Sequence, residues 1–559
     1  MPNPTDQSET TISGIHAMRG GALTAPKGFW AGAWSQVLKR PGAVAGLIWF
    51  GFIALLAVYA PLIANGHPLL MRELDANGDV VATSSPLLEF LAPSQWVLLV
   101  AMTLLIPLVL LPISGTSRGQ RAGAVIGATV QAFTILLAVS AIRAWLGRWG
   151  ASDAEREFLG SDSAPAIVAA TGAFIVSALF AFIPTIVRLA PRLAVVGVSG
   201  VVAGVIVAGT WSQPPETFQY EERELAGEIE TVYTLVPWSP AQRPTDRSAA
   251  VLEPGATSAQ ALMNNVTIAL PRGVPIDDAS LALAARDIER LPLEGDAGTT
   301  LAGAFARQFP PSSGPTIDTV ESWLMGQLAP FGTPYALGTD GLGQDVLSQM
   351  IHACRLSISI GVVSTSIAVL IGVTIGALMG YFGGWVDMAL YRVVEIFMSV
   401  PVLFLLIVAA GVLPRSTYVM MAIIGCFTWH GAARFTRAEF YKLRGQDFVQ
   451  SARAVGLPLR SILFRHMLPN GVTPVLVDAS FAIAAAILFE ATLSFLGLGP
   501  PDQASWGKLL AGATSEVGDF VPWLAIYPSL AIFLTVLSLT LIGEALRDAI
   551  DPKLKKARV

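Results

Sequence analysis

The 559-residue sequence predicts an all-α polytopic membrane protein of about ten transmembrane helices, with a soluble insert on its external side. Three observations predict this class. Hydrophobic residues make up 53% of the chain and charged residues only 13%, and the mean hydropathy is +0.60, outside the range of ordinary soluble domains. Several apolar runs of about 18 to 25 residues are each long enough to cross a hydrocarbon core of about 30 Å as a helix. Lys and Arg gather in alternate short loops, which sets one orientation.

In chain order, residues 1–42 are polar and end in Lys39-Arg40-Pro41. They read as a cytoplasmic tail, since no small-residue cleavage pattern follows the first apolar run. Spans are expected at 43–64, 95–114, 122–144, 165–186, 193–211, 356–380, 390–413, 416–433, 472–497 and 523–543. With the N-terminus inside, Arg118 and Arg121, Arg188 and Arg192, and the closing tail 547–559 with KLKKARV all fall inside. The loop bearing Asp153, Glu155, Glu157 and Asp162 falls outside. Both termini are therefore expected to be cytoplasmic.

Residues 212–350 then lie outside as an insert. Its first part, 212–335, holds 16 acidic residues against seven Arg and no Lys. The stretch DDASLALAARDIERL reads as helical, and a small folded insert is favoured over a long loop. Asn265-Val266-Thr267 matches a glycosylation acceptor, read as a chance match in a bacterial protein. Cys354 and Cys426 lie in apolar runs and read as packing residues, and the five histidines show no metal-ligand spacing.

The core, 351–546, contains one basic interruption at 434–470 with seven Lys or Arg between Arg434 and Arg465 against two acids. Phe448, Ala452 and Val455 are spaced to share one helical face. Gly456-Leu457-Pro458 breaks that helix, Leu459, Ile462, Leu463 and Met467 form a second stripe, and Pro469-Asn470 is expected to stop it. This predicts a helix–turn–helix at the inner membrane face. By its residues alone it suits lipid binding or a docking partner about equally.

No GxxxxGK[ST] segment occurs, so nucleotide phosphates are not expected to bind here in the usual way. No Ser/His/Asp or Cys/His constellation is visible, so no enzymatic activity and no resident cofactor is expected. Ionisable residues within spans are informative because they are costly. Glu490 lies mid-span, Asp478 nearer the inner end of the same run, and Glu395 near the inner end of another. Each is a candidate for the translocation path or for helix packing. Glu490 and Asp478 are placed near one stripe, about 18 Å apart along the axis. Gly338, Thr339, Asp340, Gly343 and Asp345 read as a Gly-shaped external turn, with too few ligands for calcium. Gly200 and Gly204 form a GxxxG pair suited to close helix packing. The four extra spans read as a packing annex.

Gln450-Ser451-Ala452, Arg453, Gly456 and Leu468-Pro469 resemble the coupling loop of ABC-importer permeases: Glu-Ala-Ala, three residues, Gly, nine residues, one apolar residue, any residue, Leu-Pro. Gln450 stands where Glu is usual, and His466 takes the apolar position. LGTDGLGQDVLS (337–348), YFGGWVD (381–387), SFLGLG (494–499), WGKLL (506–510) and LRDAIDPK (546–553) resemble the second permease subunit of dipeptide/oligopeptide importers. Tyr335 and Gln344 depart from that pattern. The resemblance covers about 28–64 and 335–555, and the family usually lacks what lies between. It implies an ABC importer type I permease fold, peptide as solute, and coupling through 450–469. It implies as partners a homologous permease, two subunits carrying ATP and Mg, an external solute-binding protein and membrane lipid, but no nucleic acid. Four extra spans keep the coupling loop cytoplasmic. Alternatives are a permease for nickel or a peptide-like antibiotic, an ATP-independent secondary transporter or channel, and a membrane-anchored enzyme with a catalytic cluster in the insert.

Overall fold

The computed structural model describes residues 29–75, 79–89, 91–111, 118–148, 164–182, 189–209, 220, 223–224, 228–241, 254–255, 275–289, 297–316, 319–320, 323, 335–501, 503–514 and 520–550. The closing KLKKARV, the acidic loop at 153–162 and Asn265 lie outside these residues.

A short helix α1 (Phe29–Val37) precedes α2 (Pro41–Ile63), which starts with proline at a first-turn position where a missing N–H costs nothing. Ala33 and Val37 of α1 pack against Ala545 and Ala549 near the end of the last helix. Arg40 pairs with Asp548 there at 2.6 Å. The described segments nearest the two chain ends therefore share one end of the molecule.

After α2, strands β1 (Leu70–Leu74) and β2 (Val80–Ser84) form an antiparallel hairpin. Four helices follow: α3 (Pro93–Leu110), α4 (Arg118–Arg148), α5 (Ala164–Phe182) and α6 (Leu189–Gly209). Then β3 (Ile229–Val232) returns to pair with β1, giving the sheet order β2-β1-β3. One sheet thus joins the chain before the four helices to the chain after them, so an even number of crossings separates the two segments. The insert is built from two loops, the sequence reading having assigned it only the second.

The four helices form their own bundle around Ile135, Val139, Val168, Val176 and Ala203. Gln131 is buried at its centre and donates to Ser177 Oγ at 3.0 Å and Val196 O at 2.8 Å, while Ser199 Oγ donates to its Oε1 at 2.7 Å. A buried amide left unpaired is costly, so this network fixes the register of α4, α5 and α6. Gly200 lies against Ser177 and Gly204 against Ala173, the close packing expected of that pair. Outward-facing Phe174, Leu179, Val198, Val201 and Val205 are exposed, as suits a lipid-facing surface. The bundle meets the core through α3, by Tyr59 Oη to Thr103 Oγ1 at 3.3 Å and Arg355 donating to Ser94 Oγ at 3.0 Å.

Helices α7 (Asp278–Glu289) and α8 (Ala297–Gln308) carry the insert's core. Leu281, Ile288, Leu301, Phe305 and Trp238 pack with Ala60 and Ala64 from the end of α2 and with Ile351. The insert is folded directly onto the spans.

The long helix α9 (Val346–Phe382) starts under this insert. The predicted span began at 356. Polar Ser348, Gln349, His352 and Arg355 hid the first turns, but all of them are buried or partly buried, bonded in turn to Trp238, Asp340, Ala64 and Ser94. His352 Nε2 bonds Ala64 O at 2.8 Å, and Ser348 Oγ donates to Trp238 O at 2.8 Å. At about 1.5 Å per residue, α9 runs about 55 Å, from the insert to the opposite end.

Helices α10 (Gly384–Ser399) and α11 (Val402–Val412) turn back and meet at 81°. The sequence predicted one span, 390–413. Pro401 forces Val400 out of the helical region, to φ −110° and ψ 131°. The run expected at 416–433 is α12 (Thr417–Thr428), which gives way at Trp429 to the polar α13 (His430–Leu443). The hairpin follows, opening on α14 (Asp447–Ala454), and after it come α15 (Thr473–Phe495), α16 (Trp506–Gly512) and α17 (Pro522–Ile550).

Among the described residues, five helices (α2, α4, α9, α15 and α17) are long and apolar enough to span a membrane, six with the bent pair. The apolar stretches of α3, α5, α6 and α12 are of 10–17 residues. Length and apolarity alone therefore do not reach the expected ten.

Candidate functional site

The seat of the hairpin is the pairing of α9 with α13. Gly372, Gly376 and Gly380 repeat every four residues and put backbone against backbone. A Cβ at Gly372 would lie 2.6 Å from Trp429 O, one at Gly380 2.6 Å from Arg437 O, and one at Gly376 against Ala433 O. This stripe was missed in the sequence, although its four-residue spacing, the same as that of Gly200 and Gly204, is visible there. Arg437 of α13 holds both oxygens of Asp387 on α10, at 2.5 and 2.7 Å, in the fork geometry that favours Arg over Lys.

α14 is the first arm. Val449 and Ala452 are buried against Phe440, Ala377 and Met467. The predicted face of Phe448, Ala452 and Val455 is therefore corrected: Phe448 is 39% and Val455 79% exposed. The helix is rotated because Val449 and Ala452, three apart, fill the gap below α13. Gln450 and Ser451 are exposed, and Gln450 donates to Arg444 O at 3.0 Å. Arg453 donates from Nε to Tyr381 Oη at 3.1 Å, and its guanidinium carbon lies 4.4 Å from that ring's centre.

Gly456 has φ +76°, and the N–H groups of Gly456 and Leu457 donate to Arg453 O and Ala452 O. This is a Schellman end, in which glycine supplies the left-handed residue. The second arm starts at Pro458 and buries Ile462, Leu463 and Met467 as expected, but leaves Leu459 exposed. Pro469-Asn470 does not stop it. A π turn, Ser461–Met467, runs into the helical turn Leu468–Gly471. The wider turn accommodates Pro469, which lacks an N–H and would clash with the carbonyl four residues back in an α-helix. Leu468 packs inward and Pro469 is exposed. The outward surface is thus apolar and basic: Phe448, Val455, Leu459 and Phe464, with Arg453, Arg460 and Arg465.

The acidic candidates are not brought together. Glu490 is fully buried near the insert end: Oε1 accepts from Ser494 at 2.8 Å and Ser505 at 2.6 Å, and Oε2 accepts from Ser357 at 3.1 Å. It ties α15 to α9 and to the start of α16. Asp478 is half-buried and faces α13, its Oδ2 3.6 Å from where a Cβ on Gly431 would sit. Twelve residues at about 100° each place the two acids about 120° apart, so they do not share a stripe. Glu395 is partly exposed and pairs with Arg392 on its own helix at 2.6 Å.

The turn at 338–345 is shaped by glycines and held by carboxylate hydrogen bonds. Gly338 and Gly343 have φ +76° and +75°. Asp340 Oδ1 accepts from the N–H groups of Leu342 and Gln344, both at 2.9 Å, and its Oδ2 from Gln349 at 2.8 Å. Asp345 caps α9, accepting from Ser348 N at 2.6 Å, and Thr339 O accepts from Trp523 at 3.0 Å. Burial pushes the Asp345 carboxyl up to about 6, opposed by backbone N–H donors and reinforced by nearby Asp340.

A helical membrane bundle with a folded insert at one end and an amphipathic basic hairpin at the other defines a multi-pass membrane transport component. The chain belongs to the family of binding-protein-dependent transport system inner membrane components, whose model matches residues 372–556. Residues 28–79 match the N-terminal transmembrane domain of oligopeptide transport permease C. A glutathione transport system permease of Pectobacterium atrosepticum is 38% identical over 220 residues, 39% of this chain and 73% of that one. An oligopeptide transport system permease of Haemophilus influenzae is 37% identical over 41% of this chain and 75% of its own length. A peptidoglycan transport system permease of Agrobacterium fabrum is 38% identical, and this chain matches 57% of its length. The chain is an ABC importer permease of the inner membrane.

Proposed function

We propose that this permease carries di- or oligopeptides, delivered by an external solute-binding protein, through a path shared with a homologous permease. Two cytoplasmic ATP-binding subunits, holding ATP and Mg, drive the cycle, and this chain performs no covalent chemistry. Both termini and the hairpin face the cytoplasm. The observation that carries the reading is the hairpin: buried residues weld it to α9 and α13 while an apolar, basic face stays exposed. A rigidly seated amphipathic knob transmits a push from a docked partner to the helix beneath it. The peptide assignment is supported by relatives named for oligopeptide, glutathione and dipeptide transport. Gln450 to Pro469 are the coupling residues in this reading, and Glu490 is a packing residue rather than a solute contact.

Affinity purification of the full chain co-expressed with the ATP-binding subunits of a peptide importer from the same genome tests the docking. Val455→Asp leaves the seat intact and places a charge on the exposed face. The ATPase subunits are expected to co-purify with the parent chain and to be lost from the variant. Equal recovery overturns the assignment.

A further inference from the structure

An open cleft of about 550 Å³ lies at the root of the hairpin. It is lined by Tyr381 and Phe382 of α9, Arg444 and Gly445 of the turn after α13, and Gln450 and Arg453 of α14. Among the described residues, neither Arg444 nor Arg453 has a carboxylate within ion-pair distance. Each guanidinium instead lies over a tyrosine, Arg444 above Tyr441 at 4.1 Å and Arg453 above Tyr381 at 4.4 Å. The Gln450 side chain holds the turn that carries Arg444. Two cations are therefore positioned in advance, from two separate segments, with no counter-charge.

The surroundings select among anions. Phe382, Trp385 and Tyr441, at or next to the cleft, are exposed apolar or aromatic side chains. They mark the end of a membrane-crossing helix, where aromatic rings favour the headgroup zone. A small free anion gains nothing from them, and an acidic protein loop would use the guanidiniums and leave the rings bare. A phosphate diester with attached acyl chains uses both. We propose that this cleft binds the headgroup of an acidic phospholipid, whose phosphate bridges Arg444 and Arg453 and so clamps α14 to the turn after α13, beside the end of α9. The inference does not depend on which solute is carried.

The test is native mass spectrometry of the full-length chain in neutral detergent, titrated with phosphatidylglycerol, phosphatidylcholine or inorganic phosphate. The expected result is one retained phosphatidylglycerol per chain, in preference to phosphatidylcholine. Apparent affinity should fall about tenfold in Arg444→Gln and in Arg453→Gln. Arg453→Lys should bind about threefold more weakly than the parent, since the charge persists but the planar guanidinium stacked on Tyr381 is lost, and Arg460→Gln, outside the cleft, should match the parent. If a glutamine variant misfolds, the ranking of Arg453→Lys against the parent and Arg460→Gln decides the same question. Equal retention of both lipids, or retention unchanged in the glutamine variants, overturns the proposal. Displacement of the lipid by millimolar inorganic phosphate also overturns it, in favour of a free-anion site. The readout is lipid bound, so its failure leaves the transport reading standing.

Discussion

Arg453 reaches from the first arm of the hairpin to Tyr381 on the last turn of α9, with its Nε 3.1 Å from the phenol oxygen and its guanidinium over the ring. The two residues are 72 positions apart in sequence, yet they fix the angle at which the hairpin leaves the membrane helix. Tyr381→Phe keeps the ring and removes the acceptor. A loss of about 1 kcal/mol is expected, the scale of one hydrogen bond. Amide exchange at 447–457 should quicken about fivefold while the rest of α9 is unchanged.

The glycine stripe makes a sharper demand. Gly376→Ala would drive a methyl into Ala433 O and to 2.7 Å from Thr436 Cβ, with no flexible side-chain tip to give way. Overpacking of this kind costs about 1–3 kcal/mol. Thermal unfolding in detergent should show a lower midpoint for Gly376→Ala and none for Gly445→Ala, where nothing lies within 4 Å.

Glu490 separates packing from solute contact. Its oxygens accept three serine hydroxyls. Glu490→Gln keeps the shape, and the hydroxyls can rotate to suit an amide, whereas Glu490→Ala strands all three in a buried site. Glu490→Gln should retain most stability and most uptake. Glu490→Ala should lose about 2–5 kcal/mol. A stable Glu490→Gln protein without uptake would instead place this acid on the solute.

Asp345 predicts a pH effect at the external turn. Its carboxyl titrates near 6 when folded against an ordinary 3.8, because burial disfavours the charge. The folded state therefore binds more protons between these values. The associated stability is full below about 3.8 and is lost as pH rises through about 6, by on the order of 3 kcal/mol. Amide exchange at 338–350 should accelerate over that window. Asp345→Asn keeps the cap without the charge and should flatten the profile, and Asp345→Ala should be about 1 kcal/mol less stable than Asp345→Asn across the same pH range.

Much of this architecture was legible because its signals are local. Apolar runs of span length, the Gly456 break and the glycines at 338 and 343 each act within a few residues. What escaped the reading depends on neighbours distant in sequence. The rotation of α14 follows from the gap that Val449 and Ala452 fill beneath Phe440, which periodicity alone does not reveal. The π turn that carries Pro469 onward is a packing response to a proline that normally ends helices. The first ten residues of α9 look like loop until the insert covers Ser348 and His352. The sheet joining β1 to β3 needs pairing across 155 or more positions, so the insert's two-loop origin could not be read from composition.

In the proposed function the hairpin couples a partner's motion to transport. Gly456 is the place to strike, since a Cβ there would touch nothing within 4 Å while φ +76° favours glycine, and an aspartate adds a negative charge to a basic face. The decisive measurement is uptake of a labelled short peptide by cells carrying the parent chain, no chain, or Gly456→Asp at equal membrane level. Uptake is expected only with the parent chain and should collapse in the variant. Normal uptake in Gly456→Asp would contradict that coupling.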